Sequence, residues 1–188
     1  EVYRVNFTKE LTPVEEELLR ERIRGLRSIP GLLGYYLEDE PDGHSALPRR
    51  YERAREIIVE EDPYHPAFQL CANASSCAPY MAGCDIMFTD PYFRPMRSGP
   101  PAMSISLVSA SLATASSAAK GRKPIWIVPQ AFDFWNIYPD SRTPNFAELR
   151  NQWLQCIIGG ARGVVWFVSR TTNHDVDTAI GAPFISAE

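Results

Sequence analysis

Apolar positions along this chain alternate between two rhythms, one helical and one extended. Leu18, Leu19, Ile23 and Leu26 recur at helical spacing, with charges on the other faces. Thr12-Pro13-Val14-Glu15 opens that stretch with an N-cap threonine, a proline at the first helical position and a glutamate three residues after the cap; Pro30-Gly31 closes it. Gly34 to Glu38 then reads as a strand. A second helix is predicted over Pro48 to Glu61, broken by Asp62-Pro63, and Phe68 to Ala72 follows as a strand. The same order recurs three more times. A short helical piece at Ala78 to Ala82 precedes a strand at Asp85 to Thr89. A long, small-residue helix over Ala102 to Lys120 precedes Pro124 to Val128, and a helix capped by Thr143-Pro144 runs to about Ile158 before Gly163 to Val168.

Five helix-then-strand units imply an α/β protein with a parallel sheet, because parallel strands need crossover connections that cover their faces. Two architectures satisfy that: an open doubly wound sheet and a closed (β/α)8 barrel. Polar residues follow every strand: Glu38-Asp39-Glu40, Asn73, Asp90 with Tyr92, Gln130 with Phe132, and Trp166 with Ser169. A barrel spreads its site over the loops after all its strands, whereas a doubly wound sheet gathers its ligand at one switch point, usually with a Gly-rich phosphate turn. No GxGxxG or P-loop is present, so the pattern favours a barrel. Five strands leave it short of eight.

Composition narrows the partners. The 188 residues are 45% hydrophobic and 22% charged, as in a globular domain, and the formal net charge of -4 comes without a Lys/Arg cluster. Nucleic acid and anionic membrane are therefore not expected partners, and no apolar stretch is long enough to span a bilayer. Cys71, Cys77, Cys84 and Cys156 lack CxxC spacing and His44, His65 and His174 are scattered, so neither a metal nor a cofactor is expected. One disulfide among the first three cysteines and buried free thiols are both compatible with their spacing.

The segments GYYLEDEPDG (34–43), CDIMFTDPYF (84–93), KPIWIVPQAF (123–132) and RTPNFAELRNQWLQCIIGGARGVVWF (142–167) together resemble the C-terminal part of glycoside-hydrolase-like TIM barrels, the glycosidase superfamily that includes the clan A enzymes. The resemblance runs from about Leu26 to Ser169. It implies a single domain over residues 1–188, a partial (β/α)8 barrel with strands four to eight and the earlier repeats missing. It further implies an oligosaccharide or polysaccharide substrate; the compartment stays open, secreted or periplasmic being the first expectation. In such barrels the fourth strand ends in Asn-Glu-Pro, whose glutamate is the general acid/base, and Asp39-Glu40-Pro41 stands at that place. The nucleophilic glutamate expected after strand seven is replaced by Gln130. An amide is a poor nucleophile, so either the second carboxylate lies elsewhere or the protein binds sugar without cleaving it.

Glycoside hydrolysis in its usual form needs one protonated and one ionised carboxyl across the scissile bond. Glu40 is the candidate acid, beside the rigid Pro41 and close to Glu38 and Asp39, whose like charge raises a carboxyl pKa. Asp90 supplies the second carboxylate by default; a solvated loop and an Asp-Pro turn opener are the alternatives at these two places. Asp39, Asn73, Tyr92 and Gln130 are candidates for contacts to sugar hydroxyls, although residues at strand ends also commonly satisfy loop backbone. Phe132, within the aromatic run Phe132, Phe134, Trp135 and Tyr138, and Trp166 at the mouth of the last strand are candidates to stack on sugar rings. Trp153 is expected to pack. Ser-His-Asp chemistry is disfavoured by the lack of a GxSxG elbow, with His65 before its strand and His174 only near the end of the chain.

Overall fold

A computed structural model describes residues 7–134 and 137–168. Helix α1 (Pro13–Leu26) begins where its capping box requires: the Thr12 hydroxyl oxygen accepts from the Glu15 amide at 3.3 Å, while the Glu15 carboxylate accepts from the Thr12 amide at 2.8 Å. Strand β1 (Tyr35–Tyr36) is shorter than predicted. Leu37 still donates to Phe68 O, but Glu40 then takes a left-handed φ of 48° and a 3₁₀ turn starts at Pro41–His44. Helix α2 (Pro48–Glu61) and strand β2 (Ala67–Cys71) follow, and the short helical piece is a 3₁₀ segment, Ala78–Gly83, before β3 (Ile86–Thr89).

Helix α3 (Leu107–Ala119) starts five residues later than the pattern predicts. The backbone amides of Ala102 and Met103 donate to the carbonyls of Arg94 and Phe93, both at 3.0 Å, which holds this stretch against the loop after β3 ahead of the helix. After β4 (Ile125–Ile127), helix α4 (Phe146–Ile158) is capped not by Thr143-Pro144 but by Asn145, whose side chain accepts from Glu148 N at 3.0 Å and whose amide donates to the Glu148 carboxylate at 2.8 Å. Strand β5 (Gly163–Val164) ends the described secondary structure.

The five strands form one parallel sheet in chain order, β1-β2-β3-β4-β5. Tyr35 pairs with Ala67 at one side, Trp126 with Gly163 at the other. Among the described strands the order has no reversal and so no switch point of the doubly wound kind.

By internal contacts the chain divides into two compact units, one running up to Phe88 together with Ala115–Ile125, the other comprising Thr89–Thr114 and the residues from Trp126 onward. In the first, Ile23, Tyr35, Ile57, Ile58 and Ala67 are buried together, with Leu19, Leu26 and Leu37 packed against them. Each large side chain removed from water there contributes about 1.5–3 kcal/mol. Arg50 of α2, bonded at 2.7 Å to Glu15 of α1, joins the two helices, and Arg53 reaches Glu16 at the same distance. In the second unit, Val108, Leu112, Phe93, Ile127 and Cys156 are buried. Gln155 ties α4 to the start of α3, accepting from Ser109 N at 2.9 Å and donating to Ile105 O at 3.0 Å.

Trp153 departs from expectation: it is 43% exposed on α4, beside exposed Leu154 and Ile157. The four cysteines are free and buried. Among the described residues no helix is long and apolar enough to cross a membrane, and no cluster of His, Cys, Asp and Glu could hold a metal.

Candidate functional site

In the first unit the acidic run after β1 is divided among different tasks. Tyr36 Oη donates to Asp39 Oδ1 at 2.7 Å, holding that carboxylate against the strand. Asp42 accepts from the backbone amides of Ala72 and Asn73, each at 3.0 Å, and so ties the 3₁₀ turn to the end of β2. Glu40 sits at the left-handed corner that opens the turn, its carbonyl accepting from Gly43 N. The Glu38 carboxylate is largely withdrawn from water, its side chain only 17% exposed, with His44 Nε2 3.7 Å away. Its carbonyl accepts from Gln69 Nε2 at 3.0 Å. Burial pushes the Glu38 carboxyl above its ordinary value, His44 and Arg50 pull it down, and Asp39 pushes it up again.

Asn73 is exposed and its side-chain oxygen accepts from both the amide and the hydroxyl of Ser75, capping the 3₁₀ turn Ala74–Ser76. At the opposite end of β2, Asp62 accepts from Tyr35 Oη and lies 2.7 Å from His65 Nδ1. That places His65 before its strand, as the sequence indicated, and away from the strand-end loops.

In the second unit Asp90 is buried immediately after β3, at 6% exposure. Gln130 is wholly buried, and both of its side-chain polar atoms are engaged by backbone: Oε1 accepts from Arg94 N at 2.9 Å and Nε2 donates to Phe132 O at 2.8 Å. Its own backbone is held by Gln152, which accepts from Gln130 N and donates to Gln130 O. The amide thus fixes two loops, the one after β3 and the one after β4.

Those loops bring aromatic rings together. Tyr92 lies edge-on to Phe132 at 5.0 Å, Phe132 lies 4.7 Å from Phe134, and Phe134 lies 6.2 Å from Tyr138. Phe167 closes the other end, 5.4 Å from Phe132. The Arg94 guanidinium stands over the Tyr138 ring at 4.8 Å. Phe167 pairs with Gln130 across an isolated parallel bridge, and neighbouring Trp166, two residues past β5, is partly exposed. The row therefore contains Tyr92 and Phe132 from the sequence reading and adds Phe167 and Arg94, which that reading missed. Arg94 belongs to no motif; its role follows from a left-handed φ of 51° and from a partner 36 residues away. Trp135, Ser169 and His174 lie outside the described residues.

No protein-family model matches the chain, and no curated protein matches it. Solved structures do. A Bacteroides thetaiotaomicron protein assigned as an alpha-L-fucosidase is similar with a TM-score of 0.65 at 9% identity, over 93% of this chain and 60% of that one. Bee venom hyaluronidase gives 0.54 at 14% identity over 100% of this chain and 67% of its own. An exo-beta-1,4-mannosidase from Opitutaceae bacterium strain TAV5 gives 0.56 at 19% identity over 93% and 35%. The chain thus spans 60% of the first of these proteins and 35% of the third. These neighbours are glycoside-hydrolase TIM-barrel proteins, and at such identities the likeness is one of fold.

Proposed function

We propose that this chain is the C-terminal portion, strands four to eight, of a single-domain (β/α)8 barrel that hydrolyses O-glycosidic bonds in an oligosaccharide or polysaccharide by carboxylate acid/base catalysis. The observation that carries the reading is the position of the acidic run: Glu38 to Asp42 follows directly on β1 of a parallel sheet whose strands run in chain order. That is the end at which barrels of this kind keep their chemistry. Similarity of fold to glycosidases supports the substrate class.

Glu40 is assigned as proton donor and base, and Asp90 as the second carboxylate, each from its place after a strand. Asp39 and Asn73 offer polar contacts to sugar hydroxyls, Tyr92 and Phe132 offer ring faces, and Trp166 is retained as a ligand contact by its place just after β5. Gln130, with both side-chain atoms bonded to backbone, serves the site by holding those loops; contact with a hydroxyl requires one of these bonds to exchange. The test is hydrolysis of aryl glycosides and glycans by the full-length parent protein beside its Glu40→Gln and Asp90→Asn variants. Loss of about 10²-fold or more in kcat for Glu40→Gln, with the protein still folded, is expected of a general acid; an unchanged rate refutes the assignment.

A second reading is favoured by one observation. The amide Gln130 stands where the resemblance places a nucleophilic glutamate, and its bonds are structural. A barrel that binds carbohydrate without cleaving it would show sugar binding and no turnover in any variant.

A further inference from the structure

The row of rings in the second unit ends in a cation, and the geometry points to a subsite for an acidic oligosaccharide: the row from Phe167 through Phe132 and Phe134 to Tyr138, with Tyr92 beside it, offers apolar contacts along a short sugar chain, and Arg94 at its end receives the carboxylate of a uronic acid residue. This deepens the proposed carbohydrate reading and rests on it for the sugar, but not on catalysis.

Three features carry the inference. The first is continuity: successive ring centroids from Phe167 through Phe132 and Phe134 to Tyr138 are 4.7–6.2 Å apart, and Arg94 follows at 4.8 Å. The second is access. Phe167 is 48% exposed and Tyr138 42%, so the two ends of the row are open while its middle is half-buried. The third is the state of the arginine. Two other arginines of this unit are spent, Arg142 on a bidentate pair with Glu148 and Arg97 on Ser141 O. Arg94 faces an aromatic ring and has no carboxylate partner among the described residues. A guanidinium held over a ring leaves its N–H fork without an oxygen partner from that ring, and such a fork takes a carboxylate through two parallel bonds.

Gln130 explains why row and cation keep their distance. One amide group accepts from the Arg94 backbone and donates to the Phe132 backbone. The loop that carries the cation and the loop that carries the ring are therefore fixed to a single planar group, which is preorganisation of a binding site. Gln130 is in this sense a positioning residue.

Binding, not hydrolysis, is the readout, so failure of the catalytic reading leaves the test intact. Titration calorimetry of the full-length parent protein with a disaccharide ending in glucuronic acid and with its glucose counterpart should show tighter binding of the acid. Arg94→Gln should weaken the acid about 10-fold or more, as expected for a lost charge-assisted hydrogen bond, and leave the neutral sugar unchanged. Arg94→Lys should recover part of the loss, and Phe132→Ala should weaken both sugars. Raised salt should weaken the acid alone. Equal affinity for the two sugars, an Arg94→Gln variant that binds the acid like the parent, or no binding of the acid by folded protein each overturns the proposal. Preservation of the far-UV circular dichroism signal in Arg94→Gln keeps the result free of unfolding.

Discussion

Glu38 shows how far a single side chain's surroundings depart from its sequence. Three adjacent carboxylates suggest mutual repulsion, yet Asp39 is held by Tyr36 and the principal influence on Glu38 is burial. Because burial raises its folded pKa, Glu38 binds its proton more firmly in the native state than in the unfolded chain. Its contribution to stability is therefore complete below the ordinary carboxyl value of 4.5 and is lost as pH rises through the raised one. Glu38→Gln, which cannot ionise, should match the parent in urea midpoint at pH 3.5 and gain on it by pH 7. A variant that instead loses ground between those two pH values would mean that contacts to the ionised carboxylate, from His44 or Arg50, outweigh burial. Residue roles were the least legible part of the sequence. Gln130 and Asn73 stand after β4 and β2, but what each bonds depends on neighbours that only the folded chain supplies: Arg94 N for the first, a local turn at Ser75 for the second. Arg94 left no signal, since neither its ring partner nor its backbone conformation is written in a local pattern.

Elements were legible where their signals are local. The α1 cap, with threonine, proline and glutamate inside four residues, gave the start of its helix correctly. At α4 two cap signals compete, and Asn145 wins because a glutamate stands three residues after it to complete the box; three residues after Thr143 stands Phe146, which can return no hydrogen bond. The start of α3 was misplaced because Ala102 and Met103 bond across to the loop after β3, information no helical period contains. The contact of α1 with α2 yields a prediction with a definite pH window. Arg50, first among several partners, holds the Glu15 carboxyl down at about 2 from 4.5, and the pair is nearly excluded from water, at 8% and 9% side-chain exposure. A depressed pKa stabilises above the unfolded value and the gain disappears as pH falls through the folded one. Glu15→Gln should therefore cost about 2–3 kcal/mol at pH 7, from the size of the shift and the buried guanidinium left without its partner, with the difference closing near pH 2. Equal midpoints for parent and variant at pH 7 would remove the pair from any account of stability. A second test concerns α2 and the 3₁₀ segment after β2. A methyl on Gly83 would lie 2.5 Å from Tyr51 Cβ and 2.9 Å from its backbone carbonyl carbon. Backbone cannot swing aside as a long side chain can, so Gly83→Ala should destabilise by about 1–3 kcal/mol, seen as a lower thermal midpoint.

At the scale of the whole molecule the class of fold was readable and its completeness was not. Alternation of helix and strand predicted a parallel sheet, and five strands in chain order were found, because crossover topology is a property of the order of elements and tolerates errors of several residues at their ends. What a sheet does at its margins depends instead on what lies beside it. Among the described residues β1 and β5 each pair on one side only. The flanking exposed apolar residues are large, with Tyr36 48% exposed on β1 and Val165 43% just past β5. Unpaired strand edges beside exposed apolar side chains are templates for association, and natural sheets ordinarily cover them, charge them or close them into a barrel. The 188-residue chain prepared by itself should therefore self-associate at micromolar concentration and bind a hydrophobic dye such as ANS. Light scattering coupled to size exclusion, repeated with the longer parent protein, separates the possibilities: a larger species from the chain alone and a monomer from the parent would show that the remaining sequence covers those edges. A monodisperse, dye-silent monomer from the chain alone would show that the edges are protected within these residues, and would weigh against the missing-repeat reading on which the partial barrel rests.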